Sequence, residues 1–271
     1  MKNALRQWLR YGQTLRQIIA QDDRHLLRFA VVLGAILFSF SLGITQADVI
    51  YMPWSPILAW LITVALGFIF LWPSQTVRIH FGRTFWLLGG LVLVSLLLRV
   101  ILLGTLPPGF IVDEAGTADF TLRHVVRIPG ETISPFRTGS DSQPVLYYYI
   151  LRLTMELGGY NIAAARISSA IAGALAVAAT FLLVDAFSGR RTAWFTALLM
   201  AAYHYHIHWS RIALNNIWTT LWVPLTLFLF FWGWKKRWTG AAILAGFVMG
   251  LSAFFYQGGY LLLFLLLFLF F

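Results

Sequence analysis

Apolar runs close to the ~20 residues needed to cross a ~30 Å hydrocarbon layer recur along this chain, and they constrain its fold more than any other feature. Candidate spans lie at 29–46, 53–73, 85–104, 163–187, 192–209, 213–233 and 240–257, with a last apolar run from Leu261 to Phe271. A single soluble core with one anchor is excluded, and the expected fold class is an all-α polytopic membrane protein. Composition agrees, with 59% hydrophobic and only 11% charged residues, against about 25% charged in an ordinary soluble domain. The organisation expected is a basic segment at 1–28, two additional N-terminal transmembrane helices within 29–84, and a transmembrane module over 85–271. The chain stops inside an apolar run with no polar flank, so a C-terminal truncation of that module is expected.

The twenty Lys and Arg outnumber the ten Asp and Glu. The excess sits in short segments beside apolar runs, which is the pattern of membrane orientation and not of a nucleic-acid partner. Lys2, Arg6, Arg10, Arg16, Arg24 and Arg28 make the N-terminus cytoplasmic, and the absence of a small-residue cleavage site after the first apolar run makes it an uncleaved anchor. Arg190-Arg191 and Lys235-Lys236-Arg237 then form cytoplasmic links, with His204 to Asn216 on the opposite side. This parity holds only if residues 145–159, short and carrying Arg152 and Glu156, lie partly embedded at the outer interface without crossing. With no cysteine, disulfides and thiolate metal sites are absent, and cysteine usage says nothing about the redox compartment.

Half of the ten acidic residues fall in the longest polar stretch, 105–144, which is expected to be a long extracytoplasmic loop. Within it a Pro-Pro-Gly break precedes Asp113-Glu114. Carboxylates held at a membrane face can take a proton from an acceptor or hold a divalent cation beside a phosphate; they can equally be solvated loop acids. Asp141-Ser-Gln143-Pro-Val-Leu-Tyr147-Tyr148-Tyr149 leads from the loop into an aromatic helix, where Tyr147 is a candidate for substrate stacking or an interfacial belt residue. In His204-Tyr-His206-Ile-His208-Trp-Ser210-Arg211, helical geometry separates His206 from His204 and His208, so a three-histidine metal site is disfavoured against polar interface contacts, with His208 taken as a substrate-binding candidate. Arg99, Arg166 and Arg211 sit near span ends, where an arginine either snorkels or offers its planar fork to a lipid-linked phosphate. No Walker or dinucleotide fingerprint is present.

The order of these elements resembles the GT-C superfamily of membrane glycosyltransferases: an Arg-bearing span, Pro-Pro-Gly, Asp113-Glu114, Gln-Pro-Val-Leu-Tyr-Tyr-Tyr, Ala-Ala-Ala-Arg166-Ile-Ser-Ser, Gly-Arg-Arg-Thr-Ala and Ser210-Arg211-Ile-Ala-Leu-Asn. It is most similar to glycosyltransferase family 39, with the protein O-mannosyltransferases and the aminoarabinose transferases of lipid A, over roughly 85–260. The resemblance implies a GT-C-type helix bundle that transfers a hexosyl or pentosyl group, or an aminosugar, with inversion from a polyprenyl-phosphate carrier. The acceptor would be a lipid, glycan or protein at the extracytoplasmic face, here that of a bacterial plasma membrane. It implies Asp113 and Glu114 as catalytic residues, and Gln143 where relatives carry a basic residue toward donor phosphate. Asn215 stands where many relatives have a second acid, so an acid's role does not carry over to it; Arg211 fits the pattern. A divalent cation is allowed by this chemistry but not required. The competing class is a transporter or flippase of a lipid-linked or small polar substrate, which would place polar residues at mid-span.

Overall fold

The computed structural model describes residues 61–65, 67–68, 82–125 and 143–262. The expected spans at 29–46 and most of 53–73, the basic segment 1–28 and the acids Glu131 and Asp141 lie outside these residues. The chain divides into two compact units, 1–46 with 54–72 and 47–53 with 73–271. Of the first, residues 61–65 and 67–68 are helical. The second holds everything that follows.

Its elements are α1 (Arg83–Val100), α2 (Val112–His124), α3 (Leu146–Gly158), α4 (Ile162–Ser188), α5 (Arg190–Ala202) and α6 (His204–Ser210), then a 3-10 turn (Asn216–Trp218), α7 (Thr219–Lys236) and α8 (Thr239–Phe255). No strand occurs among the described residues, and the molecule is an all-α membrane protein. Three stretches, Arg83–Val100, Ile162–Ser188 and Asn216–Lys236, are long and apolar enough to cross a bilayer, and Thr239–Phe255 is a shorter apolar helix.

α4 organises the unit, packing against α1, α3, α5, α6 and α7. Its 27 residues rise about 40 Å at ~1.5 Å each. Asn161 caps it, its Oδ1 accepting from the Ala164 N–H at 2.9 Å. Buried Ala165, Ala170, Ala172, Gly173, Ala174 and Ala176 let neighbouring backbones approach, which is how helices associate where lipid supplies no hydrophobic drive. Lower down, Val177 and Phe181 pack with Ala193, Ala197 and Ala201 of α5 into a dry cluster. α1 is polar inside and apolar outside: Phe85, Trp86, Leu93, Val94 and Leu97 are exposed, while Ser95 and Arg99 are buried. That inversion suits a helix whose outer surface meets lipid.

Several boundaries differ from the hydropathy reading. The span expected to 104 ends at Val100, because residues 101–109 form turns leading through Pro107, Pro108 and Gly109. The span expected over 192–209 breaks at Tyr203, and α6 starts anew at His204. The polar stretch is not wholly loop, since it contains the thirteen-residue helix α2. α3 also has thirteen residues, about 20 Å of rise, short of a bilayer crossing. Its Arg152 and Glu156 pair along the helix at 2.7 Å. At the far end of the bundle Phe187 of α4 packs edge-on to Phe231 of α7, with centroids 4.6 Å apart. The Arg190-Arg191 and Lys235-Lys236-Arg237 turns therefore share one end.

Candidate functional site

Two adjacent acids begin α2, and the structure gives them opposite surroundings. Glu114 is fully buried. Its Oε1 accepts from Arg166 Nε at 2.8 Å and from the Ala213 N–H at 2.7 Å. Its Oε2 accepts from an Arg166 terminal nitrogen at 2.8 Å and from the Ile111 N–H at 3.2 Å. The last contact is a glutamate reaching back to the start of its own helix, as in half of a capping box. Arg166, itself fully buried, donates further to the carbonyls of Leu103 (3.2 Å), Pro107 (3.0 Å) and Gly109 (2.7 Å). A guanidinium has five N–H donors, and all five of Arg166 are taken by protein acceptors. Gly109 adopts φ +79°, a conformation that favours glycine.

Arg211 completes the clamp. It donates to the carbonyls of Leu98 (2.9 Å), Ile101 (2.6 Å) and Leu106 (3.1 and 3.2 Å). Those include acceptors that the end of α1 leaves open, and a cation there also complements the helix dipole. Arg99 is turned inward: it donates to Ser95, to Ser210 Oγ at 3.2 Å and to His206 Nδ1 at 2.9 Å. Because arginine can only donate, His206 Nδ1 is the acceptor. Its Nε2 carries the proton and donates to Thr220 Oγ1 at 3.1 Å. Burial and the Arg99 cation push the His206 pKa down to about 4. α6 lies outside the candidate spans.

These clamps fix the 101–111 turn and, through it, Asp113. Its side chain is exposed, and no hydrogen bond to its carboxylate occurs among the described residues. It lines a cavity of about 400 Å³ with Phe120, Gln143, Tyr148, Asn215 and Asn216. Asn215 Nδ2 donates to Gln143 Oε1 at 3.2 Å, closing one wall. Phe120 and Tyr148 meet with centroids 4.8 Å apart at 53°. Asn216 Oδ1 is buried without a hydrogen-bond partner among the described residues. Residue 216 begins the stretch leading into α7 and Lys236 ends that helix, so the cavity and the basic turns lie at opposite ends of the bundle.

Of the residues expected at a site, Asp113, Gln143 and Asn215 meet in this cavity. Arg99, Arg166 and Arg211 do not line it; their donors go to the protein's own oxygens and to His206. Tyr147 is fully buried and its neighbour Tyr148 takes the cavity wall; burial raises the Tyr147 phenol pKa well above its usual value. His208 is exposed on α6 while His206, not singled out in the sequence, is the histidine inside. Asn216 was also missed, although its adjacency to Asn215 was a usable signal. Among the described residues no group of three or more His, Cys, Asp or Glu is placed to hold a metal, and Asp113 is the carboxylate lining the cavity.

No curated protein and no solved structure matches the chain. Residues 142–271, which carry Gln143, Tyr148, Asn215 and Asn216 but not Asp113, match the family model described as dolichyl-phosphate-mannose-protein mannosyltransferase, and over that stretch the chain is similar to membrane glycosyltransferases of the GT-C type.

Proposed function

We propose that the protein transfers a sugar from a polyprenyl-phosphate carrier to a hydroxyl acceptor at the extracytoplasmic membrane face, with Asp113 as the base. The observation that carries this is the contrast between the two acids: Glu114 is saturated by four donors, whereas Asp113 opens onto a polar cavity at the end of the bundle remote from the basic turns. In the reaction the acceptor hydroxyl passes its proton to the Asp113 carboxylate and attacks the anomeric carbon. The bond from that carbon to the phosphate oxygen breaks, the configuration inverts, and polyprenyl phosphate leaves with the electron pair. Glu114 and Arg166 act as positioning residues that hold the start of α2.

The extracytoplasmic assignment is supported by basic residues at the opposite end of α7. A transporter is disfavoured by the part of the bundle between that polar end and the basic turns, where Val177 and Phe181 are buried among Ala193, Ala197 and Ala201 of α5. The test incubates membranes containing the protein with radiolabelled polyprenyl-phosphate sugars. We expect label to move covalently into an acceptor fraction as free polyprenyl phosphate accumulates. Label that crosses a vesicle membrane with its carrier bond intact would overturn the transferase in favour of transport.

A further inference from the structure

The cavity beside Asp113 has a composition that discriminates between the parts of a lipid-linked sugar. The ten described residues that line it include no cation. Among the described residues Arg99, Arg166 and Arg211 are committed elsewhere, Arg166 through all five of its donors. A phosphate in this space would face the Asp113 carboxylate and amide carbonyls, which repel it. A hydroxyl-bearing ring fits both signs of hydrogen bonding. The Gln143–Asn215 pair uses one N–H and one carbonyl in its own bond. It keeps Gln143 amide donors on one side and the Asn215 carbonyl on the other, and reversing both amides leaves the same complement. Asn216 adds an acceptor, and its Oδ1 is buried with no partner among the described residues. A buried acceptor left without a donor is costly, and a hydroxyl supplies one. The Phe120 and Tyr148 rings provide an apolar wall for the C–H side of a ring.

We infer that this cavity binds a neutral hydroxylated sugar ring, with Asn216 and the Gln143–Asn215 pair reading its hydroxyls, and that it excludes the phosphate of the donor. The ring belongs to the donor or to a glycan acceptor, since both carry the same chemistry. This rests on Asp113 lying at the reaction centre only for its place in the reaction, not for binding.

The experiment measures binding of octyl hexosides, octyl pentosides and their monodeoxy derivatives to the protein in lipid nanodiscs by saturation-transfer NMR, with octyl phosphate as the anionic probe. Wild type is expected to bind at least one glycoside, and to bind one of its monodeoxy derivatives about tenfold more weakly. Asn216→Ala and Gln143→Ala should each weaken the parent glycoside about tenfold, and the deoxy derivative lacking the hydroxyl read by Asn216 should lose nothing further in Asn216→Ala. The deoxy series on wild type needs no variant to fold. Octyl phosphate should not compete. Absence of glycoside binding, equal binding of all deoxy derivatives, or displacement of glycoside by octyl phosphate would overturn the assignment. KM values for donor and for glycan acceptor in the two variants identify which ring is read. Glycoside binding without any transfer would remove the proposed reaction and keep the site; transfer with unaltered sugar affinity in both variants would do the reverse.

Discussion

Replacing either of two neighbouring acids by its amide should produce opposite phenotypes. In Glu114→Gln one carboxylate oxygen becomes an NH2 group, and both oxygens of Glu114 face two donors each. Whichever way the amide turns, donors confront donors, and the Arg166 charge loses its partner in a fully buried position. An unsatisfied buried group costs ~1–3 kcal/mol and a broken buried ion pair ~3–5 kcal/mol, so we expect a loss of about 3 kcal/mol. For a chain of this size each kcal/mol is worth ~2–4 °C in Tm, giving a drop of roughly 6–12 °C. Asp113→Asn removes no bond to the protein, and exposed changes of that kind stay within ~0.5 kcal/mol. The assay is thermal unfolding followed by intrinsic fluorescence, for which the twelve tryptophans give the signal. Glu114→Gln unfolding at the wild-type temperature would refute the clamp, and with it the separation of the two acids into anchor and base.

Other consequences can be checked with the same preparation. A Cβ at Gly173 would overlap Ser210 Oγ and press on Arg99, so Gly173→Ala should cost ~1–3 kcal/mol by overpacking, read as a lowered Tm; an unchanged Tm would show that α6 yields freely. His206 is held neutral with a depressed pKa, so the unfolded chain binds its proton first on acidification. Its stabilisation is present above about pH 6.5 and is lost as pH falls from there toward about 4. His206→Gln should flatten that part of the Tm profile, and a profile identical to wild type would remove His206 as its source.

Hydropathy made the bundle legible because lipid demands long apolar helices, and α4 falls within one residue of its expected bounds at each end. α2 was not legible: VDEAGTADFTLRH has neither the apolarity of a span nor a strong periodicity, and its start is fixed by Glu114 reaching Ile111, Ala213 and Arg166 from distant parts of the chain. Helical spacing correctly separated His206 from His204 and His208, but which side faces inward depends on α4 and α7 packing nearby. The arginines show the deepest limit. At a span end a guanidinium can meet lipid phosphate or the chain's own carbonyls, and only the path of the 101–109 turn decides that Arg166 and Arg211 do the latter. The Ser95–Arg99 spacing of four, a polar pair on one face of an apolar helix, was the available sign that Arg99 turns inward. Asp113, Gln143 and Asn215 stand out by their motifs, and the fold brings the three into one cavity.

The central proposal is most directly tested by transfer of radiolabelled sugar from polyprenyl phosphate by Asp113→Asn, compared with wild type at equal amounts of folded protein. We expect the variant to keep the wild-type Tm and lose transfer by ~10²-fold or more, as removal of a general base does. Transfer at the wild-type rate by the folded variant would contradict the role assigned to Asp113.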